Sequence, residues 1–238
     1  MYWAILYAKE MRLPLSPLIA ISLVAFVPSI SILFTLAVSD NEFISQVFFI
    51  ICKIWIFAVP TIWYFRVDKN RFLWVEKEIE GFRIAALSGM MMSVIILLTW
   101  SLFGSTIDVE SMIEELESTG LNDLSMYVAG MIYWIFFNSL LEEYVFRWFI
   151  TTKGVELFGN ETGGIILSAF LFTLHHGIAL YLFGFAWWQI LMACIGLLSA
   201  AAIWSWLYLR FKSIWVCWLS HSICDVAVFG IGYVLIFG

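Results

Sequence analysis

The chain has 238 residues, of which 63% are hydrophobic and 13% charged, and its formal net charge is −6. Soluble domains carry roughly 45–50% apolar and about 25% charged residues, so a water-soluble globule is excluded and the chain reads as a polytopic membrane protein. Its apolar runs are continuous rather than alternating, which points to helices and away from a barrel, and no basic cluster outside the loops suggests a nucleic-acid partner.

In chain order, Met1 to Leu13 places Lys9, Glu10 and Arg12 after its apolar residues. That is the reverse of a cleavable signal, and the segment reads as a short amphipathic piece in the interface. Spans are predicted at about Ser16–Val38, Phe43–Phe65, Ile84–Phe103, Ser125–Ile150, Gly164–Phe183, Phe185–Tyr208 and Ile214–Phe237, each long enough for the ~20 residues a spanning helix needs. Trp63-Tyr64-Phe65 suits an interfacial aromatic belt. Residues Ser105 to Leu124 lack Lys and Arg, and Ile107, Val109, Met112, Ile113 and Leu116 suit a short surface helix there. The polar stretch Thr151 to Gly164, with Gly154, Gly159 and Asn160, reads as a helix break. Ser199, Ala200, Ala201 and Ala202 suit close helix contact. The expected fold is all-α: a bundle of about seven transmembrane spans plus short interfacial helices. It forms one integral-membrane domain over residues 1–238, with a motif-bearing core at about 125–237.

Seven spans place Lys9, Arg12, the basic Arg66–Arg83 loop, Arg147, Lys153, Arg210 and Lys212 on one side, with Lys53 alone inside a span. This is the positive-inside pattern, so the N-terminus is expected to be cytoplasmic. Lys53 is expected to snorkel or to pair with a distant acid. Cys52, Cys194, Cys217 and Cys224 all lie in apolar segments without a CxxC and read as small buried hydrophobes rather than disulfides.

The chemistry concentrates in Asn138-Ser139-Leu140-Leu141-Glu142-Glu143-Tyr144-Val145-Phe146-Arg147. A charge at membrane depth costs about 2.5–3.5 kcal/mol on insertion scales, so a chain keeps one only where it is paired or used. Glu143 and Arg147 are four apart with acid before base, the favoured order on one helix face, and form the expected structural pair. Glu142 lies about 100° round the helix and is left for chemistry, with Asn138 four residues before it as a hydrogen-bond partner. Counted from the cytoplasmic ends of their spans, His221 is roughly 11 Å deep, Glu142 roughly 15 Å, Asp225 roughly 17 Å and His176 roughly 20 Å. Three helices thus bring ionisable groups to overlapping depths, as a shared water-filled cavity requires. His221 and Asp225 are four apart and point the same way, and so are Phe172 and His176, where the ring can wall the site. His175 points about 100° away and is expected to have a structural role. Carboxylate and imidazole together suit general-base hydrolysis. Glu142, His176, His221 and Asp225 also suit a divalent metal such as zinc.

Three motifs, Glu142-Glu143-x-x-x-Arg147, Phe172-x-x-x-His176 and His221-x-x-x-Asp225, resemble in order the EExxxR, FxxxH and HxxxN/D signatures of the CPBP family. That family comprises the type II CAAX prenyl endopeptidases and the bacteriocin-processing and lysostaphin-resistance-like intramembrane proteases. The resemblance implies an all-helical fold with a conical catalytic cavity and cleavage of a membrane-associated, in some members lipidated, protein or peptide near the bilayer interface. By motif position, Glu142 and His176 would activate water, Arg147 would hold Glu143, and His221 and Asp225 would form the oxyanion side. CAAX-cleaving members usually carry Asn where this chain has Asp225, and an ionised carboxylate cannot donate to an oxyanion. The family has been described both as metal-dependent and as metal-free. Two other classes use the same residues: a proton-coupled transporter or channel, disfavoured by the absence of an internal repeat, and a catalytically silent immunity or scaffold protein.

Overall fold

The computed structural model describes residues 15–70, 79–110, 112–113 and 121–238. The amphipathic piece expected at Met1–Leu13, Leu116 of the expected surface helix and the middle of the Arg66–Arg83 loop lie outside the described residues. Among the described residues, seven helices are long and apolar enough to cross a membrane: α1 (Ser16–Val38), α2 (Glu42–Val67), α3 (Ile79–Thr106), α4 (Leu124–Phe158), α5 (Glu161–Leu182), α6 (Trp187–Phe211) and α7 (Ile214–Phe237). The described residues contain no strand. The protein is an all-α, multi-pass integral membrane protein.

Short polar turns set the helix starts. Asn41, Asp123 and Asn160 cap α2, α4 and α5, each side chain accepting from backbone N–H groups of the first turn, which would otherwise be unpaired. The break expected across Thr151–Gly164 is confined to Gly159 and Asn160. The α4 helix runs through Thr151 to Phe158 and stops where Gly159 turns left-handed at φ 70°. Gly154 does not break it. That glycine allows α4 and α5 to touch, since a Cβ there would lie 2.9 Å from Gly164 Cα. Gly89 likewise lets α3 approach Ser220 of α7, where Ser88 and Ser220 hydroxyls meet at 3.0 Å. Of the four small residues on α6, Ala201 is buried in the core while Ser199 faces outward and bonds back to Ile195 O.

The core is built on the second half of α4. Val145, Phe146, Phe149 and Ile150 pack against Phe172 of α5, Trp204 and Leu207 of α6 and Val216 of α7. The first half of α4 instead exposes Met126, Ile132, Phe136 and Phe137, apolar surface suited to lipid. Of the expected aromatic belt, Phe65 is exposed, whereas Trp63 packs on the core and Tyr64 lies against Trp148. Lys153 is no loop cation: it is buried, pairing with Asp68 beyond α2 and with Glu156, each at 2.7 Å. All four cysteines are free thiols, and three of them are buried.

Candidate active site

Two widened turns of π type, Trp134–Asn138 and Glu143–Thr151, bracket the short α-helical piece Ser139–Glu142 within α4. An i→i+5 turn leaves carbonyls open to outside partners, and such turns recur at functional sites. Here Ile135 O accepts from Trp218 Nε1 and Ser222 Oγ of α7, both at 3.2 Å. Phe146 O accepts from Ser168 Oγ of α5 and Thr151 Oγ1, both at 2.8 Å. The freed carbonyls tie α4 to the two helices that carry the histidines.

Glu143 and Arg147 pair through Nε and Oε2 at 3.2 Å, and neither has any exposed surface. Arg147 also donates to Ser168 Oγ at 3.2 Å and lies over the Phe172 ring, 4.6 Å from its centroid. Glu143 has a second partner that helical spacing does not reveal. His221 Nδ1 meets its Oε1 at 2.8 Å. An ionised carboxylate only accepts, so Nδ1 carries the proton. That bond turns Nε2 of His221 toward the other acids, Asp225 Oδ1 at 3.4 Å and Glu142 Oε2 at 3.8 Å. The Trp204 ring stacks on His221 with centroids 4.2 Å apart and planes 19° from parallel, while its Nε1 donates to Ser220 Oγ at 3.1 Å.

Glu142 accepts from Asn138 Nδ2 at 2.7 Å. Its side chain keeps 13% of its surface accessible whereas Glu143 keeps none, so of the two adjacent acids only Glu142 is reachable by water. Contrary to the expectation from its sequence position, His175 does not point away from the site. Its Nε2 is 3.7 Å from Glu142 Oε1. His176 bonds Phe172 O through Nδ1 at 3.0 Å, and its ring centroid is 4.0 Å from that of His175. Successive residues differ by about 100° round a helix, yet both imidazoles place a ring nitrogen within 4.8 Å of a Glu142 oxygen.

Glu142, His175 and His176 offer ligand atoms within 4.8 Å of one another, a different set from the expected Glu142, His176, His221 and Asp225. One carboxylate and two imidazoles match the three protein ligands of a catalytic zinc. Phe172 O fixes His176 Nδ1, the kind of outer bond that orients a ligating imidazole, and His175 Nδ1 is buried without a partner. The donor set therefore fits a divalent ion.

Sequence reasoning missed Ser168 and Trp204. Ser168 carried a signal: it precedes Phe172 by four and His176 by eight, so all three share a face of α5. Trp204 carried none, because it meets His221 only across a helix pair. Lys53 of α2 donates to Asn138 Oδ1, at a short contact, and so reaches the acid through an intermediary.

A family described as Type II CAAX prenyl endopeptidase, Rce1-like, matches residues 124–227, less than half of the chain. The matched residues run from the start of α4 to just beyond Asp225, and so hold all three motifs. This part of the chain is similar to the Rce1-like family. Comparison with curated proteins and with solved structures returned no match. The Rce1-like proteins are intramembrane proteases of CAAX type acting on membrane-associated proteins. The Rce1-like region here contributes α4, α5, α6 and the first half of α7, while Lys53 lies outside it.

Proposed function

We propose that the chain is an intramembrane endopeptidase in which Glu142 is the general base that activates water against a peptide bond of a membrane-associated protein. The observation that supports this most is the contrast between neighbours. Glu143 is enclosed and bonded to Arg147 and His221, whereas Glu142 is the acid left accessible, with imidazoles on two sides. A base must reach its proton directly or through one water, and of the two neighbours Glu142 can do so. Asn138 orients it. His175 and His176 border the place for the water, and His221, its Nδ1 tied to Glu143, presents Nε2 toward the carbonyl oxygen as that oxygen gains charge. Asp225 sits on that same Nε2 and sets its direction. A divalent ion held by Glu142, His175 and His176 would lower the pKa of bound water and polarise the carbonyl. The basic ends of the helices face the cytoplasm in this reading, and so does the N-terminus.

The test is cleavage of a prenylated CAAX reporter peptide by the purified chain in liposomes. Glu142→Gln is expected to lose cleavage by about 10²-fold or more, in keeping with the 10²–10⁴-fold typical of a general base, and to stay folded. Asp225→Asn, which turns a carboxylate into a neutral donor, is expected to cleave at least as fast as the parent. Undiminished cleavage by Glu142→Gln would remove the proposal.

A further inference from the structure

We infer that Lys53, on a helix outside the family match, is a positioning residue for Glu142, acting through Asn138. The inference rests on the reading of Glu142 as the reacting base. Lys53 Nζ bonds Asn138 Oδ1, and Asn138 Nδ2 bonds Glu142 Oε1 at 2.7 Å. The order of the three groups admits one arrangement. An ammonium only donates and an ionised carboxylate only accepts. The amide between them must turn its oxygen to Lys53 and its NH₂ to Glu142. Lys53 thereby prevents the amide flip that would set a carbonyl oxygen against the carboxylate.

Charge supports the same link. The cluster holds three carboxyl groups, Glu142, Glu143 and Asp225. Arg147 answers Glu143. Lys53 supplies a second positive charge on the side of Glu142, and a proton on His221 can supply the third. A lysine in mid-span on α2, with its head turned toward the protein rather than out to lipid, is costly unless it serves such a balance. Its stem passes Phe49, with Nζ 5.0 Å from the ring centroid, which helps hold it in place.

Two measurements on the full chain test the link. In the first, Lys53→Met keeps the stem and loses the charge. Cleavage of the prenylated reporter in liposomes is expected to fall in kcat by about 10–100-fold, the usual loss when an outer partner of a catalytic group is removed, with KM unchanged. Lys53→Arg is expected to recover part of that loss, which a purely packing role would not allow. In the second, thermal unfolding in detergent is compared for Lys53→Met, Glu142→Gln and the double variant. Each single change strands one charge, so the double variant is expected to melt no lower than the worse of the two singles. An unchanged kcat in Lys53→Met, or melting shifts that simply add, overturns the inference. If the parent chain leaves the reporter uncut, the endopeptidase reading fails while the melting comparison still decides for or against Lys53.

Discussion

At the scale of single residues, Glu142 and Glu143 show how one bond along the chain separates two fates. Both are acids on α4, yet one is packed between an arginine and a histidine and the other borders accessible space. Removing one partner of an enclosed ion pair leaves the other charge bare, which costs about 3–5 kcal/mol. Arg147→Met should therefore lower the melting temperature of the purified chain sharply and remove cleavage only as a consequence of lost structure. Glu142→Gln should do the reverse, with cleavage gone and most of the helical signal retained on heating. Circular dichroism and reporter cleavage on the same two preparations check this. Equal melting losses in both variants would mean that Glu142 is as much a structural acid as its neighbour.

At the scale of elements, what could be read in the sequence follows from the α-helical period. Glu143–Arg147 and Asn138–Glu142 are each four apart, and both contacts form. The seven apolar runs become seven spans for the same reason. Contacts between helices leave no such mark. His221–Glu143, Lys53–Asn138 and the Trp204–His221 stack join residues 78, 85 and 17 apart, counting 221 − 143, 138 − 53 and 221 − 204. The π turns add a second difficulty, since a widened turn shifts every later side chain from where a regular helix would aim it. Glycine is ambiguous for a related reason: it punctuates a loop in one place and lets two helices touch in another. At Gly164 a Cβ would lie 2.8 Å from Thr151 O and Val155 N, whereas at Gly196 nothing lies within 4 Å. Gly164→Ala should push α5 off α4 and cost about 1–3 kcal/mol. Gly196→Ala, in the middle of α6, should raise stability by up to about 1 kcal/mol through helix propensity alone. Melting temperatures of the two variants in one detergent should move in opposite directions, and a shared direction would contradict the α4–α5 contact.

At the scale of the whole molecule, the distribution of charge and the position of the acids bear on one question: the side from which a substrate arrives. One end of the bundle carries Arg66, Lys69, Lys153, Arg210 and Lys212, and the other carries Asp40, Glu42, Asp108, Glu110 and Asp123. The seven helices alternate in direction, and among the described residues the acidic end carries no Lys or Arg. His221 is seven residues and Asp225 eleven residues into α7 from Ile214, at the basic end, while two open depressions of about 400 and 220 Å³ lie at the acidic end, around Ile107. Neither depression includes a motif residue, and a protein substrate is expected to reach Glu142 from the basic side. By the positive-inside rule the basic end is expected to face the cytoplasm. The rule is testable with single cysteines, because three of the four native thiols are buried and Cys194 is partly so. Asp40→Cys, in the turn between α1 and α2, should react with a membrane-impermeant maleimide on intact cells. Asn160→Cys, in the turn between α4 and α5, should react only after the membrane is opened. Labelling in the opposite order would invert the bundle, and the substrate terminus that Glu142 meets would then have to come from outside the cell.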